Sequence, residues 1–202
     1  MRGETNPPAV ILLHGRGANE DDLLGLADRL DERVFLVAAR APFPFQYGGF
    51  TWFDIVDAGS PEPGMFAESY QRLSQFWDDV KNGYPIDPSR MFLLGFSMGT
   101  MMSYLIALTK PRTVAGVAAN SGYIPENVSL KFQWDKVAGM PFYVAHGVLD
   151  PVIPVKLGRR AKALLEDAKA DLVYREYPMG HEISQENLSD MTTWLTEKLG
   201  GQ

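Results

Sequence analysis

Short apolar runs alternate along this chain with longer stretches in which apolar residues recur every three or four positions. The runs predict strands near 10–14, 34–38, 91–94, 114–119, 142–145 and 172–177. Between them, Leu23, Leu26, Ala27 and Leu30 predict a helix over 20–30, and Leu73, Phe76, Trp77 and Val80 another within 69–80. Helical spacing also covers 100–108, 155–168 and 184–199. Ser184 offers the last of these a start, although the glutamate of a capping box is displaced by one, to Glu186. Strands buried on both faces read as continuous apolar runs, and helices between them make the crossovers of a parallel sheet. The expected class is therefore α/β, a mostly parallel central sheet with helices on both faces, in one domain over 1–202 with its core near 9–199. Two stretches lack a period: 40–64, rich in Pro, Gly and aromatic residues, and 121–138. Loops of such length in a compact domain are usually functional. The last residues, Gly200-Gly201-Gln202, are expected to fray.

The candidate chemistry sits where strand gives way to helix. Gly95-Phe96-Ser97-Met98-Gly99 joins the run at 91–94 to the helix at 100–108. A serine on such a sharp turn presents its hydroxyl above the sheet, and the glycines on either side leave room for neighbouring backbone. A hydroxyl is a weak nucleophile near neutral pH and needs a positioned base, itself oriented by a carboxylate. Asp150 follows the apolar run ending at Ala145, and His181 follows the run ending at Tyr177. Both therefore fall at the carboxyl ends of strands, where ligands sit in open α/β sheets. The order Ser97, Asp150, His181 is that of α/β-hydrolases. Asp135, Asp167 and Asp171 lie away from strand ends, and Asp150 has a rival role as a cap for a helix beginning near Pro154. His14 and His146 each precede a glycine at a strand end and are expected to hold loops by hydrogen bonds.

An acyl transfer also needs fixed N–H donors for its tetrahedral oxyanion. The backbone N–H of Met98, after the nucleophile, is one candidate, and that of Arg16, in the loop after the first strand, is the other. Glycines at 15 and 17 allow that loop close approach.

Composition narrows the alternatives. An apolar fraction of 46% with 22% charged residues is that of a soluble globular chain, and no apolar run approaches the length of a membrane span. A net charge of −6 without a basic cluster argues against nucleic acid and anionic membrane surfaces as partners. With no cysteine, thiolate metal sites and a cysteine nucleophile are excluded. His181-Glu182-Ile183-Ser184-Gln185 lacks the second histidine of a zinc-protease helix, and Gly15-Arg16-Gly17-Ala18-Asn19-Glu20 puts a glutamate where a dinucleotide loop has its third glycine. No metal or cofactor is expected, and the only expected partner is a small-molecule ester. The amino terminus shows no signal peptide, so the expected location is cytoplasmic.

Taken together, His14-Gly15-Arg16-Gly17 with Asp21-Asp22-Leu23, Thr51-Trp52-Phe53-Asp54, Gly95-Phe96-Ser97-Met98-Gly99, Ser121-Gly122-Tyr123, His146-Gly147 with Asp150-Pro151-Val152, and Gly180-His181 resemble the phospholipase/carboxylesterase family. That family holds small bacterial carboxylesterases and acyl-protein thioesterases. The resemblance runs from about Ala9 to Leu199. It implies a minimal α/β-hydrolase fold, ester or thioester hydrolysis without a cofactor, Ser97, Asp150 and His181 as triad, and Arg16 and Met98 as oxyanion hole. Met98 stands where many relatives have glutamine, which leaves the backbone donor unchanged and makes the pocket less polar. Too few residues separate the strand ending near 119 from the next one for a cap domain. The substrate wall is therefore expected from the 40–64 loop, with Trp52 and Phe53, and from Met65 and Tyr123. The expected activity is a serine carboxylesterase for short- to medium-chain esters; the alternatives are an acyl thioesterase or lysophospholipase-like enzyme, and a silent ligand-binding hydrolase fold.

Overall fold

The computed structural model describes residues 6–56 and 60–200. Within them the order is β1 (Ala9–Leu13), α1 (Glu20–Leu24), β2 (Phe35–Ala39), β3 (Phe43–Pro44), β4 (Phe50–Thr51), α2 (Pro63–Gly83), β5 (Met91–Phe96), α3 (Met98–Thr109), β6 (Gly116–Asn120), β7 (Pro141–Gly147), α4 (Val155–Asp167), β8 (Asp171–Tyr177) and α5 (Gln185–Lys198). Residues 201 and 202 of the tail expected to fray lie outside the described residues, as do 57–59 of the aperiodic loop.

Six strands form one all-parallel sheet in the order β2-β1-β5-β6-β7-β8. Side chains alternate between its faces as the pleat requires. Ile11, Leu13, Leu93, Val117 and Val144 pack on one side with α2, α3 and α4, while Val10, Leu12, Leu94, Ala118 and Tyr143 pack on the other with α1 and α5. The order reverses at β1. From there the chain moves outward to β2 and then returns to place β5 on the opposite side, so a crevice opens above the carboxyl ends of β1 and β5. This is the α/β-hydrolase arrangement without a cap: between β6 and β7 the only regular piece is a single 3-10 turn at Trp134–Lys136 among the described residues.

Two local expectations need correction. The helix over 20–30 breaks at Gly25 into α1 and a 3-10 turn at Ala27–Arg29, because glycine holds a helix poorly. The stretch 40–64 is not structureless. It contains the β3–β4 hairpin, whose strands of two residues are too short to show a period, turning through Gly48 and Gly49 at φ +102° and +67°. It also contains the start of α2, which begins at Pro63 and is capped by the Glu62 carboxylate accepting the amides of Gly64 and Met65. The cap at Ser184, by contrast, is real: its Oγ accepts the Asn187 amide at 3.3 Å.

Candidate active site

The turn from β5 into α3 carries Ser97 with φ +55° and ψ −118°, a conformation that side chains rarely tolerate. The glycines of the motif are sterically obligatory. A Cβ on Gly99 would lie 1.9 Å from the Leu13 carbonyl oxygen, and one on Gly95 would lie 2.6 Å from both the Thr100 nitrogen and the Ser103 Oγ. From beneath, the Ser97 amide donates to the Asn120 carbonyl at 2.9 Å, and the Asn120 Nδ2 donates to the Gly95 carbonyl at 3.2 Å. Asn120 is in turn tied to α5 by Asn187 Nδ2 at 3.0 Å, whose own Oδ1 accepts the Tyr143 hydroxyl at 3.0 Å. This buried polar chain fixes the serine turn relative to the helix that follows His181.

Asp150, His181 and Ser97 come together although 84 residues separate the outer two. The His181 Nδ1–H donates to Asp150 Oδ2 at 2.8 Å, which leaves Nε2 to accept the Ser97 hydroxyl, also at 2.8 Å. Phe96 packs on the imidazole with ring centroids 5.0 Å apart. The Asp150 side chain is fully buried. The two roles weighed for it are both present in part: Oδ1 accepts the amides of Val152 and Ile153 at 2.8 Å each, holding the loop before α4, while Oδ2 faces the histidine. Burial alone pushes this carboxyl up, but the His181 N–H and the two amides outweigh it and hold the group below the ordinary aspartate value.

The other two histidines are spent on loops. His146 donates Nε2–H to the Ile153 carbonyl at 2.8 Å. His14 donates Nδ1–H to the Gly15 carbonyl at 2.7 Å and accepts the Ala41 amide on Nε2 at 3.1 Å. Burial pushes the His14 imidazole below its ordinary pKa, against the opposing pull of the Gly15 carbonyl and of Asp22 and Glu20. The folded protein thus binds fewer protons here than the unfolded chain. The stabilising effect is complete above the unfolded value of about 6.5 and is lost as pH falls from there through the lowered folded value. The midpoint of thermal unfolding should therefore drop as pH is lowered below about 6.5, with a smaller drop in His14→Asn. Equal drops in the two proteins would assign the effect elsewhere.

The loop after β1 is held by the hairpin, with Gly17 N donating to the Phe50 carbonyl and Phe50 N to the Ala18 carbonyl, both at 2.8 Å. Gly17 has φ +79°, and a Cβ there would press on the Phe45 ring at 3.2 Å. Among the described residues, the amides of Arg16 and Met98 have no acceptor. Gly17→Val forces a branched side chain into that conformation and should displace the Arg16 amide, with an activity loss of about 10²-fold, the scale of losing one oxyanion donor. A loss of less than threefold in a well-folded Gly17→Val protein would contradict the placement.

The cavity above Ser97 has a volume of about 310 Å³ and is lined by Arg16, Ile55, Met98, Met101, Tyr123, Val152, Ile153 and Leu157. Of the four residues expected to form its wall, only Tyr123 does so. Trp52 and Phe53 are 2% and 0% exposed and belong to the core. The Trp52 indole N–H donates to the His14 carbonyl at 2.9 Å, so this ring braces the loop after β1 instead of lining the cavity. Met65 packs half-buried against the same core. Sequence reasoning missed Met101, one helical turn beyond Ser97 and hence on its face, and Val152 and Ile153, which follow Asp150 directly. A larger hollow of about 520 Å³ beside Trp134 and Leu164 holds no nucleophile–base pair, so size does not identify the site. Among the described residues no three His, Cys, Asp or Glu side chains converge as metal ligands, and no helix is long and apolar enough to cross a membrane.

Known proteins resemble this chain in sequence and in fold. The phospholipase/carboxylesterase family profile matches residues 2–199. A probable carboxylesterase of Arabidopsis thaliana is 30% identical over 94% of this chain and 78% of its own. Acyl-protein thioesterase 1 of Neurospora crassa is also 30% identical, over 94% of this chain and 86% of its own. The crystal structure of the Bacillus cereus carboxylesterase superposes with a TM-score of 0.83 at 22% identity, covering 96% of this chain and 90% of that one, a likeness of fold. The chain belongs to the phospholipase/carboxylesterase family, serine hydrolases of the α/β-hydrolase type.

Proposed function

We propose that this protein is a serine carboxylesterase for esters of short to medium acyl chains. The observation that carries the reading is the hydrogen-bonded series Asp150, His181, Ser97 at 2.8 Å per step, opening on an apolar cavity. Ser97 Oγ attacks the ester carbonyl as its proton passes to His181 Nε2, and the imidazolium is stabilised by Asp150. The amides of Arg16 and Met98 take the oxyanion. His181 returns the proton to the leaving alcohol, and a water deprotonated by the same nitrogen then releases the acid and restores Ser97. Each methylene that the cavity covers adds about 0.8 kcal/mol, and a volume near the lower end for ligand sites, which start at about 300 Å³, stops the gain after a short or medium chain.

An acyl-length series of soluble esters tests this, run above and below the solubility limit and preceded by labelling with a serine-reactive fluorophosphonate. The expected result is labelling of Ser97, an optimum at short to medium length, and no jump in rate when an emulsion forms. Absence of labelling would favour a silent binding fold, and a preference for long-chain triglyceride would reject the short-cavity reading. The likeness to an acyl-protein thioesterase, equal in identity to that of the plant carboxylesterase, supports a second reading as a thioesterase. Rates on matched oxygen and sulfur esters separate the two.

A further inference from the structure

Among the described residues, the cavity at Ser97 has one charged residue in its lining. Arg16 stands among Ile55, Met98, Met101, Tyr123, Val152, Ile153 and Leu157. Its guanidinium differs from those of the fully paired arginines. Arg33, Arg40, Arg159 and Arg160 each grip a carboxylate with two nitrogens, on Asp31, Glu20, Glu176 and Glu126. Among the described residues Arg16 makes a single polar contact, Nη2 to Asp54 Oδ1 at 3.5 Å, the outer limit of a hydrogen bond, and Asp54 is itself half exposed. The head group is instead positioned by the Phe45 ring, 4.5 Å from the guanidinium carbon. A cation stacked in place beside an apolar cavity, with most of its planar fork of donors uncommitted among the described residues, is suited to a bidentate anion.

We propose that Arg16 is a specificity-determining residue whose side chain recognises an anionic group on the substrate, so that the preferred esters carry a carboxylate or phosphate a few atoms from the reacting carbonyl. This rests on the esterase reading and adds the substrate class. The backbone of the same residue is assigned to the oxyanion, so the side-chain role is read from a ratio of substrates within each protein, not from activity alone.

The test uses isosteric ester pairs followed by proton release. Monoethyl succinate against ethyl 4-methylpentanoate places the anion on the acyl side, and carboxymethyl butyrate against isobutyl butyrate places it on the alcohol side. In the unmodified protein, kcat/KM for the anionic member should exceed that for the neutral one by roughly ten- to a hundredfold in at least one pair, the range of a hydrogen bond to a charged group. The pair that shows it identifies the side. Arg16→Leu should bring that ratio to about one, Arg16→Lys should keep part of it, since a point charge replaces a fork, and Asp54→Asn should raise it. A ratio of one or less in both pairs, or a ratio unchanged in Arg16→Leu, overturns the proposal. An unmodified protein that hydrolyses none of the four esters would sink the esterase reading. The anion site is then judged by calorimetry with the unreactive amides of the same acids. Binding of succinamate over 4-methylpentanamide, or of N-butyrylglycine over N-isobutylbutanamide, that disappears in Arg16→Leu supports it, and equal binding within both pairs rejects it.

Discussion

Ser97→Ala should lower kcat by several orders of magnitude while leaving the fold intact. The hydroxyl is the only group that the exchange removes. The Ser97 amide keeps its bond to Asn120, Gly95 and Gly99 keep their clearances, and the amides of Arg16 and Met98 remain free to bind the substrate carbonyl. Residual turnover over water of about 10³- to 10⁴-fold, arising from the oxyanion donors and binding alone, is therefore compatible with the assignment. Steady-state kinetics on a short-chain ester with matched circular dichroism spectra check it. Retention of more than a few per cent of the activity would require another nucleophile.

Asp150→Asn is the second large effect, about 10⁴-fold in kcat by analogy with the same exchange in a serine protease triad. The mechanism is specific to the geometry. An amide that presents its NH₂ to His181 Nδ1 makes that nitrogen the acceptor and moves the proton to Nε2, where it faces Ser97 and can no longer accept from it. The loop needs Oδ1 as an acceptor for Val152 and Ile153, so the new amide is held with its oxygen there and its nitrogen toward the histidine. The substitution is thus steered into the harmful tautomer. Asp135→Asn serves as control, since Asp135 lies on a surface turn beside Lys136. Comparable damage from the control would mean that the acid has been misassigned.

Much of this arrangement was legible in the residues because it rests on local rules. Six apolar runs gave six strands, and a strand followed by glycine, serine and glycine gave the turn. The chain order of Ser97, Asp150 and His181 followed from which strand ends they terminate. What was not legible depends on contacts between distant segments. Nothing local distinguishes an aromatic residue that lines a cavity from one that braces a loop, and Trp52 belongs to the second kind only because its indole meets the His14 carbonyl across 38 positions. The hairpin in 40–64 escaped for a related reason. Its two-residue strands are held by long-range bonds to Gly17 and Ala18 and carry no periodic signal of their own. The single break in the first helix was written in Gly25, but one glycine inside an apolar period is a weak signal until neighbouring elements act on it.

The backbone at Ser97 has a consequence beyond its reactivity. A non-glycine residue at φ +55° and ψ −118° stores about 1–3 kcal/mol, which the rest of the fold must carry. Ser97→Gly removes both the nucleophile and the Cβ. Even after the added freedom of the unfolded chain, it should raise the thermal midpoint by a few degrees above both the unmodified protein and Ser97→Ala, on the basis of about 2–4 °C per kcal/mol at this chain size. The dead enzyme should be the sturdier protein. In a lineage that kept the fold but abandoned the chemistry, glycine at this turn would meet no resistance from stability.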